Sequence, residues 1–227
     1  MGFIRNILSV INENLIADGA YLRIIKGCIF TVLIFVCALL LGLAFAAVLT
    51  YCRTSKKKGI AAIACGISFL FKGTPVYLAM LLWNYSFLGG VHRGGLVAAI
   101  LTLGIFTGGQ LTDLCYRAAK SEEGMRNEAV NRRGRQEFFN ALYPYLTEQS
   151  LFEIKRLVSL VLQLSTLVGL IGVNDLASVL IANGFKTCAP FFAIGCAILF
   201  YLVLQLLIEV LAFVLGKKLL NTEEKDD

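Results

Sequence analysis

Charge and histidine are scarce in this chain of 227 residues. Charged residues make up 16% of it, against 58% hydrophobic residues, and the mean hydropathy is +0.76. A soluble domain of this length needs more charge to cover its surface, so that class is excluded. The single histidine, His92, excludes any mechanism that needs two imidazoles. The seven cysteines include no C-x-x-C pair, so neither a disulfide framework nor a zinc site is indicated.

Nucleotide-binding loops are also missing. The chain lacks G-x-x-x-x-G-K-[ST], so we expect no cofactor on this chain. An integral membrane enzyme would need clustered carboxylates, a nucleophile with its base, or metal ligands within the apolar runs. One histidine and one intramembrane glutamate, Glu209, make that alternative weak. The net charge of +6 indicates no nucleic-acid partner, because the cations follow a different pattern along the chain.

Long apolar runs are what the sequence has instead, and lipid is the solvent they require. About 20 helical residues cross the hydrocarbon of a bilayer. Five such runs predict an all-α polytopic membrane protein with five transmembrane helices. A long polar loop, predicted to be cytoplasmic, connects the third helix to the fourth. The predicted spans are residues 27–52, 60–88, 94–115, 157–173 and 188–215.

The lysines and arginines predict the orientation. Of 21 in the chain, fifteen fall in the loop after the first span, in the polar block and in the C-terminal tail. Five fall on the opposite side, and Lys72 lies inside the second span. By the positive-inside rule, the N-terminus is outside and the C-terminus is cytoplasmic. Residues 1–26 are predicted to form an external or interfacial segment, 27–216 the transmembrane domain and 217–227 a cytoplasmic tail.

The polar block, about residues 117–156, carries the most specific pattern. Its small and apolar positions suggest two short amphipathic helices hinged at Gly134, where glycine permits close approach to another backbone. An ordinary solvated loop is the alternative, since charge runs are usually solvated faces.

Four segments in register resemble one family. The spacing E-A-V-x-x-x-G at 128–134 resembles the EAA-x-x-x-G loop of ATP-binding-cassette importer permeases. Within those, F-K-G-T-P at 71–75, S-T-L-V-G-L-I-G-V at 165–173 and the Gly- and Ala-rich span 27–53 resemble the polar amino-acid uptake family. The resemblance covers about residues 20–215 in the right order and topology.

The resemblance implies the function and its partners. It implies a permease subunit of an amino-acid importer in the bacterial inner (plasma) membrane, with five helices and an outside N-terminus. ATP and Mg would be bound by a separate cytoplasmic ATPase dimer. A second permease subunit, identical or not, would complete the pathway, and an external solute-binding protein would deliver the solute.

The polar block would then contact the ATPase. The resemblance implies coupling roles for Glu128, Ala129 and Gly134, because small residues allow close docking and a short helix pair transmits rigid-body motion. Arg126, Arg132 and Arg133 would pair with acidic rims on the ATPase, or serve equally as positive-inside anchors.

A helix break is predicted inside the second span, at Lys72, Gly73, Thr74 and Pro75. Proline removes a helical hydrogen bond, and broken helices at membrane depth tend to line cavities. A lysine at such a depth indicates a functional site. Alternatively, the break lies near the cytoplasmic interface and Lys72 extends to lipid headgroups, which we prefer.

Polar residues within the spans are the candidate pathway. They are Gln110 in the third span, with Gln163, Ser165 and Thr166 in the fourth. Polar groups in lipid must face a partner or water. Hydroxyls can instead bond to carbonyls of their own helix, which would explain Ser165 and Thr166.

The chain departs from the family pattern in three places. Pro144 follows Gly134 by ten residues, where the family has about thirteen to its Leu-Pro. Gln163-Leu164 replaces a Lys-Asp pair, and Phe69 stands where the family has an acidic residue. These departures favour an alternative in which the chain is a degenerate membrane partner that binds no substrate.

The docking role of the polar block can be tested by substitution. We expect Gly134→Trp to leave membrane insertion intact but to prevent association with the ATPase, since the indole would occupy the space needed for close docking. Co-purification measures this, and normal recovery of the complex would refute the assignment.

Overall fold

The fold is known from a computed structural model that describes residues 9–55, 57–123 and 151–223. At 118–123, 151 and 215–223 the backbone alone is described. Seven α-helices of the described residues are α1 (Ala20–Arg53), α2 (Lys58–Gly73), α3 (Val76–Leu82), α4 (Gly94–Glu123), α5 (Leu151–Leu164), α6 (Leu176–Lys186) and α7 (Pro190–Glu223). A π-helical turn, Trp83–Phe87, extends α3, and a 3₁₀ helix, Ser165–Ile171, extends α5.

The apolar helices match the predicted spans in number and order. Four are long and apolar enough to cross a membrane: Ser9–Arg53, Gly94–Arg117, Phe152–Ile171 and Pro190–Val214. The pair Lys58–Gly73 and Val76–Phe87 passes the same test together and, counted as one span, supplies the fifth. The all-α polytopic architecture is therefore confirmed.

The ends of several elements differ from the prediction. α1 begins at Ala20, because Asp18 and Gly19 adopt left-handed φ values of 50° and 68° that interrupt the helix before it. Residues 20–26 thus belong to the first long helix, and an interfacial location for residues 9–19 stays a prediction. The fourth span begins earlier than predicted, at Leu151, and α7 continues into the predicted tail as far as Glu223.

The short turns before α1 are held by α6. Asn14 is buried, and its Oδ1 accepts a hydrogen bond from the Thr187 hydroxyl at 2.6 Å. Arg23 donates to Asp18 O at 2.8 Å and to Asn183 Oδ1 at 3.3 Å. These bonds connect the start of the chain to α6.

The second span is broken where proline predicts it. α2 ends at Gly73, Thr74 and Pro75 are extended, and α3 begins at Val76. The axis of Val76–Phe87 is bent by 98° from that of α2. A residue before proline is pushed out of the helical region, and proline itself donates no backbone hydrogen bond. Both effects place the break between Gly73 and Val76.

Glycines bring α1 and α4 together. A Cβ added to Gly42 would lie 2.6 Å from the Cβ of Thr107, and one added to Gly108 would lie 2.7 Å from the Cβ of Phe45. Small residues of this kind let two membrane helices approach closely and gain van der Waals contact. Gly42 faces Thr107 and Arg53 meets Asp113, so the two helices run parallel.

A core of fully buried side chains surrounds this pair. Met80 of α3 and the 3₁₀ residue Val168 pack with side chains of α1, α4 and α5 in one cluster. Its other members with no exposure are Ile34, Ala38, Ala98, Ala99, Leu103 and Val161. The broken span and the fourth span therefore both pack on the α1–α4 pair.

The tight α1–α4 contact predicts that a substitution at Gly108 is costly, whereas one at a glycine with open space is not. We expect Gly108→Ala to lower the free energy of unfolding by about 1–3 kcal/mol, because the added methyl group overpacks against Phe45. Thermal unfolding of the detergent-purified protein measures the effect.

Gly66→Ala in α2 is the control, since nothing lies within 4 Å of a Cβ added there. It should be neutral or stabilising by up to about 1 kcal/mol, because alanine favours the helix over glycine. Equal effects of the two substitutions would contradict close packing at Gly108.

Candidate functional site

Lys72 lies at the helix break and is paired with an acidic residue of α4. Its Nζ is 2.5 Å from Oδ2 of Asp113, and its side chain remains 42% exposed. The lysine charge is thus compensated within the protein, and contact with lipid headgroups is not needed to explain its position. The sequence did not pair these two residues, which lie on different spans and 41 positions apart.

Asp113 forms a second ion pair, with Arg53 at the end of α1. Nη1 of Arg53 lies 2.5 Å from Oδ1 of Asp113. The Arg53 guanidinium also lies over the ring of Tyr116, 4.0 Å from its centroid, which adds a cation–π contact. One carboxylate therefore joins α1, α2 and α4, and we call Arg53, Lys72 and Asp113 the three-charge cluster.

Further polar contacts join the helices on either side of the polar block. Arg117 of α4 donates to Glu153 of α5 at 2.8 Å, an exposed pair worth little on its own. Lys155 of α5 pairs with Glu209 of α7. Gln205, one turn before Glu209, donates to the Ser159 hydroxyl at 2.5 Å. Glu209, which the sequence left as a lone acid, thus belongs to the α5–α7 contact.

The predicted coupling residues lie outside the described residues. They are Arg126, Glu128, Ala129, Arg132, Arg133 and Gly134. Their roles stay predictions. The helices before and after these residues, α4 and α5, are described, and an ion pair between Arg117 and Glu153 joins them.

The predicted pathway residues differ in their hydrogen bonds and in their exposure. Ser165 is buried and donates to Leu162 O at 2.7 Å, and Thr166 donates to Gln163 O at the same distance. Both hydroxyls are thus accounted for by carbonyls of their own helix. Gln110 of α4 is half-buried, while Gln163 and Thr166 are exposed.

Gln163 and Thr166 belong to an exposed strip along the fourth span. The strip is formed by Arg156, Leu160, Gln163, Thr166 and Leu170, which follow one another at helical spacings of three and four. An amide directed at hydrocarbon would be costly, so this mixed surface fits a protein partner or water better than lipid.

Asp175 is a polar residue that the sequence interpretation missed. Its side chain is fully buried at the start of α6, where Oδ1 accepts from the Ser178 N–H at 3.1 Å and Oδ2 from the Ala177 N–H at 3.2 Å. Oδ2 also accepts from the Tyr201 hydroxyl at 3.1 Å, and the Ser178 hydroxyl donates to Oδ1. An acidic residue just before a short apolar helix was the available signal, because aspartate is a preferred N-cap.

The Asp175 turn also contacts α1. The Leu176 N–H donates to Oγ1 of Thr31 at 3.0 Å, and a Cβ added to Gly27 would lie 3.0 Å from the Asp175 carbonyl oxygen. α1, α6 and α7 therefore meet at this end of the bundle, opposite the three-charge cluster.

Comparison with solved structures identifies the fold. The chain is similar to one in a structure described as "Crystal structure of an amino acid ABC transporter with histidines", with a TM-score of 0.69 and 18% sequence identity. The match covers 86% of this chain and 94% of that one. No family model and no curated protein matches. The chain therefore shares the fold of the matched chain, at an identity that shows the fold alone.

The buried cap predicts a graded response at position 175. We expect Asp175→Ala to destabilise by about 1–2 kcal/mol through loss of the N-cap, with a further loss because the Tyr201 hydroxyl keeps no acceptor at this position. Asp175→Asn should cost less, since asparagine is also a good N-cap. Thermal unfolding in detergent ranks the variants, and equal losses for Asn and Ala would contradict the capping role.

Proposed function

We propose that the chain is the transmembrane permease subunit of an ATP-driven amino-acid importer. The single observation that carries the proposal is the shared fold, which extends over 94% of the chain in the amino acid ABC transporter structure. The four sequence segments that resemble the polar amino-acid uptake family support the same assignment independently of the fold.

ATP hydrolysis would occur on a cytoplasmic ATPase dimer that binds the loop between α4 and α5. The cation distribution supports a cytoplasmic location for this loop, with the N-terminus outside and the C-terminus inside the bacterial inner membrane. Glu128, Ala129 and Gly134 are the proposed docking residues.

A second permease subunit would cover the exposed strip on the fourth span. Gln163 and Thr166 present polar groups on a surface that also carries Leu160 and Leu170. A pathway between two subunits would give these groups water or a partner side chain, and an external solute-binding protein would deliver the solute to it.

A degenerate permease that binds no substrate is the second candidate. Phe69 replaces the family's acidic residue. It is 70% exposed on α2, where it offers no polar group to a substrate. In that case this subunit would form a heterodimer with a permease that carries the binding residues.

Reconstitution tests the proposal directly. The chain, with the ATPase and any partner permease that co-purify with it, is placed in proteoliposomes with a panel of labelled amino acids. We expect ATP-dependent uptake of at least one of them and stimulation of ATP hydrolysis by the same compound. A complex that hydrolyses ATP while no member of the panel is taken up or stimulates it would contradict the amino-acid assignment.

A further inference from the structure

We propose that Asp113 is a positioning residue that transmits movement of α4 to the helix break at Gly73–Pro75, and that it does so through Lys72. The inference rests on the proposed function, because movement of α4 would come from an ATPase bound to the adjoining loop. Asp113 is the one member of the three-charge cluster that bonds to both cations.

The end of α2 rests directly on α4. A Cβ added to Gly109 would lie 2.9 Å from the backbone N of Lys72 and 3.0 Å from the Cβ of Phe71. The Phe71 ring packs edge-on against Phe45 of α1, with the centroids 5.9 Å apart. The last turn of α2 is therefore fixed against the α1–α4 pair by backbone contact, an aromatic pair and an ion pair.

The break follows at once after this fixed turn. Lys72 is in the last turn of α2, while Thr74 and Pro75 are extended and direct the chain into α3. Extended residues between two helices can absorb changes in φ and ψ, as hinge residues do. A displacement of Asp113 would thus be passed to Lys72 and change the direction in which α3 leaves the break.

α4 is suited to carry movement from the loop. It is one continuous helix to Glu123, and ten residues beyond Asp113 correspond to about 15 Å along its axis. Asp113 and Arg117 are one turn apart, so the α2 contact and the α5 contact lie on neighbouring turns of the same helix.

Electrostatics explains why a carboxylate is needed at position 113. Arg53 and Lys72 are both cations, and Asp113 separates them. With a neutral side chain there, the two cations would repel each other and Lys72 would have no bond to α4. Arg53 would still be held to α4 by the ring of Tyr116, so the loss would fall chiefly on α2.

Transport measurements separate positioning from a merely structural role. In proteoliposomes of the whole complex, Asp113→Asn should retain ATP hydrolysis within about twofold while ATP-driven uptake falls at least about tenfold. Lys72→Met should give the same result, and the double variant should be no worse than either single one, because each of the three lacks the Lys72–Asp113 bond. Asp113→Glu should restore uptake.

Glu153→Gln is the matched control, since it removes the neighbouring ion pair to Arg117 without touching α2. It should leave both activities near wild type. Parallel loss of hydrolysis and uptake in Asp113→Asn, or unchanged uptake, would overturn the proposal. If Asp113→Asn is not recovered from membranes, Lys72→Met removes the Lys72–Asp113 bond while leaving α4 unchanged. The same levels of hydrolysis and uptake then support or overturn the proposal.

A second measurement does not depend on transport. Spin labels at Ile63 in α2 and Tyr85 after α3, both exposed, report the angle at the break in the purified chain with its seven cysteines replaced. Asp113→Asn should broaden the distance distribution, and Glu153→Gln should not. An unchanged distribution in Asp113→Asn overturns the proposal. If the wild-type complex takes up no amino acid, the proposed function fails, and these distances alone decide the role of Asp113.

Discussion

The close approach of α1 and α4 forms the centre against which the other helices pack. Gly42 and Gly108 leave no room for a Cβ between the two helices, and in lipid such van der Waals contact has to replace the hydrophobic effect as a source of stability. The resulting pair is parallel, as expected for two helices that are separated in the sequence by one further span. The broken span and the fourth span then pack on it through Met80 and Val168.

The two ends of this bundle are held by different chemistry. At one end, ion pairs of partly exposed side chains join α1, α2, α4, α5 and α7. Their partial exposure suits a surface in contact with water. At the other end, the fully buried Asp175 is satisfied by backbone amides and the hydroxyls of Ser178 and Tyr201. Exposed ion pairs contribute little each, whereas a buried carboxylate that loses its donors would be costly.

The break in the second span combines these features. Proline and the residue before it decide where the helix stops, and Gly109 decides how closely the stopped helix approaches α4. The ion pair between Lys72 and Asp113 forms at that point of approach. The proposed permease needs an element that can change direction without losing its packing, and this break directly follows the turn of α2 that contacts Gly109 of α4.

The five apolar spans, their order and the break at Pro75 follow from the amino-acid sequence, because run length and proline chemistry are local properties. The sequence could not determine that Asp113 meets Lys72 and Arg53, that Gln205 meets Ser159, or that Asp175 is buried. Those contacts join residues from 26 to 60 positions apart. Only the packing of the helices decides which polar groups come within bonding distance, since helical periodicity gives the face of a residue but not the helix that covers it.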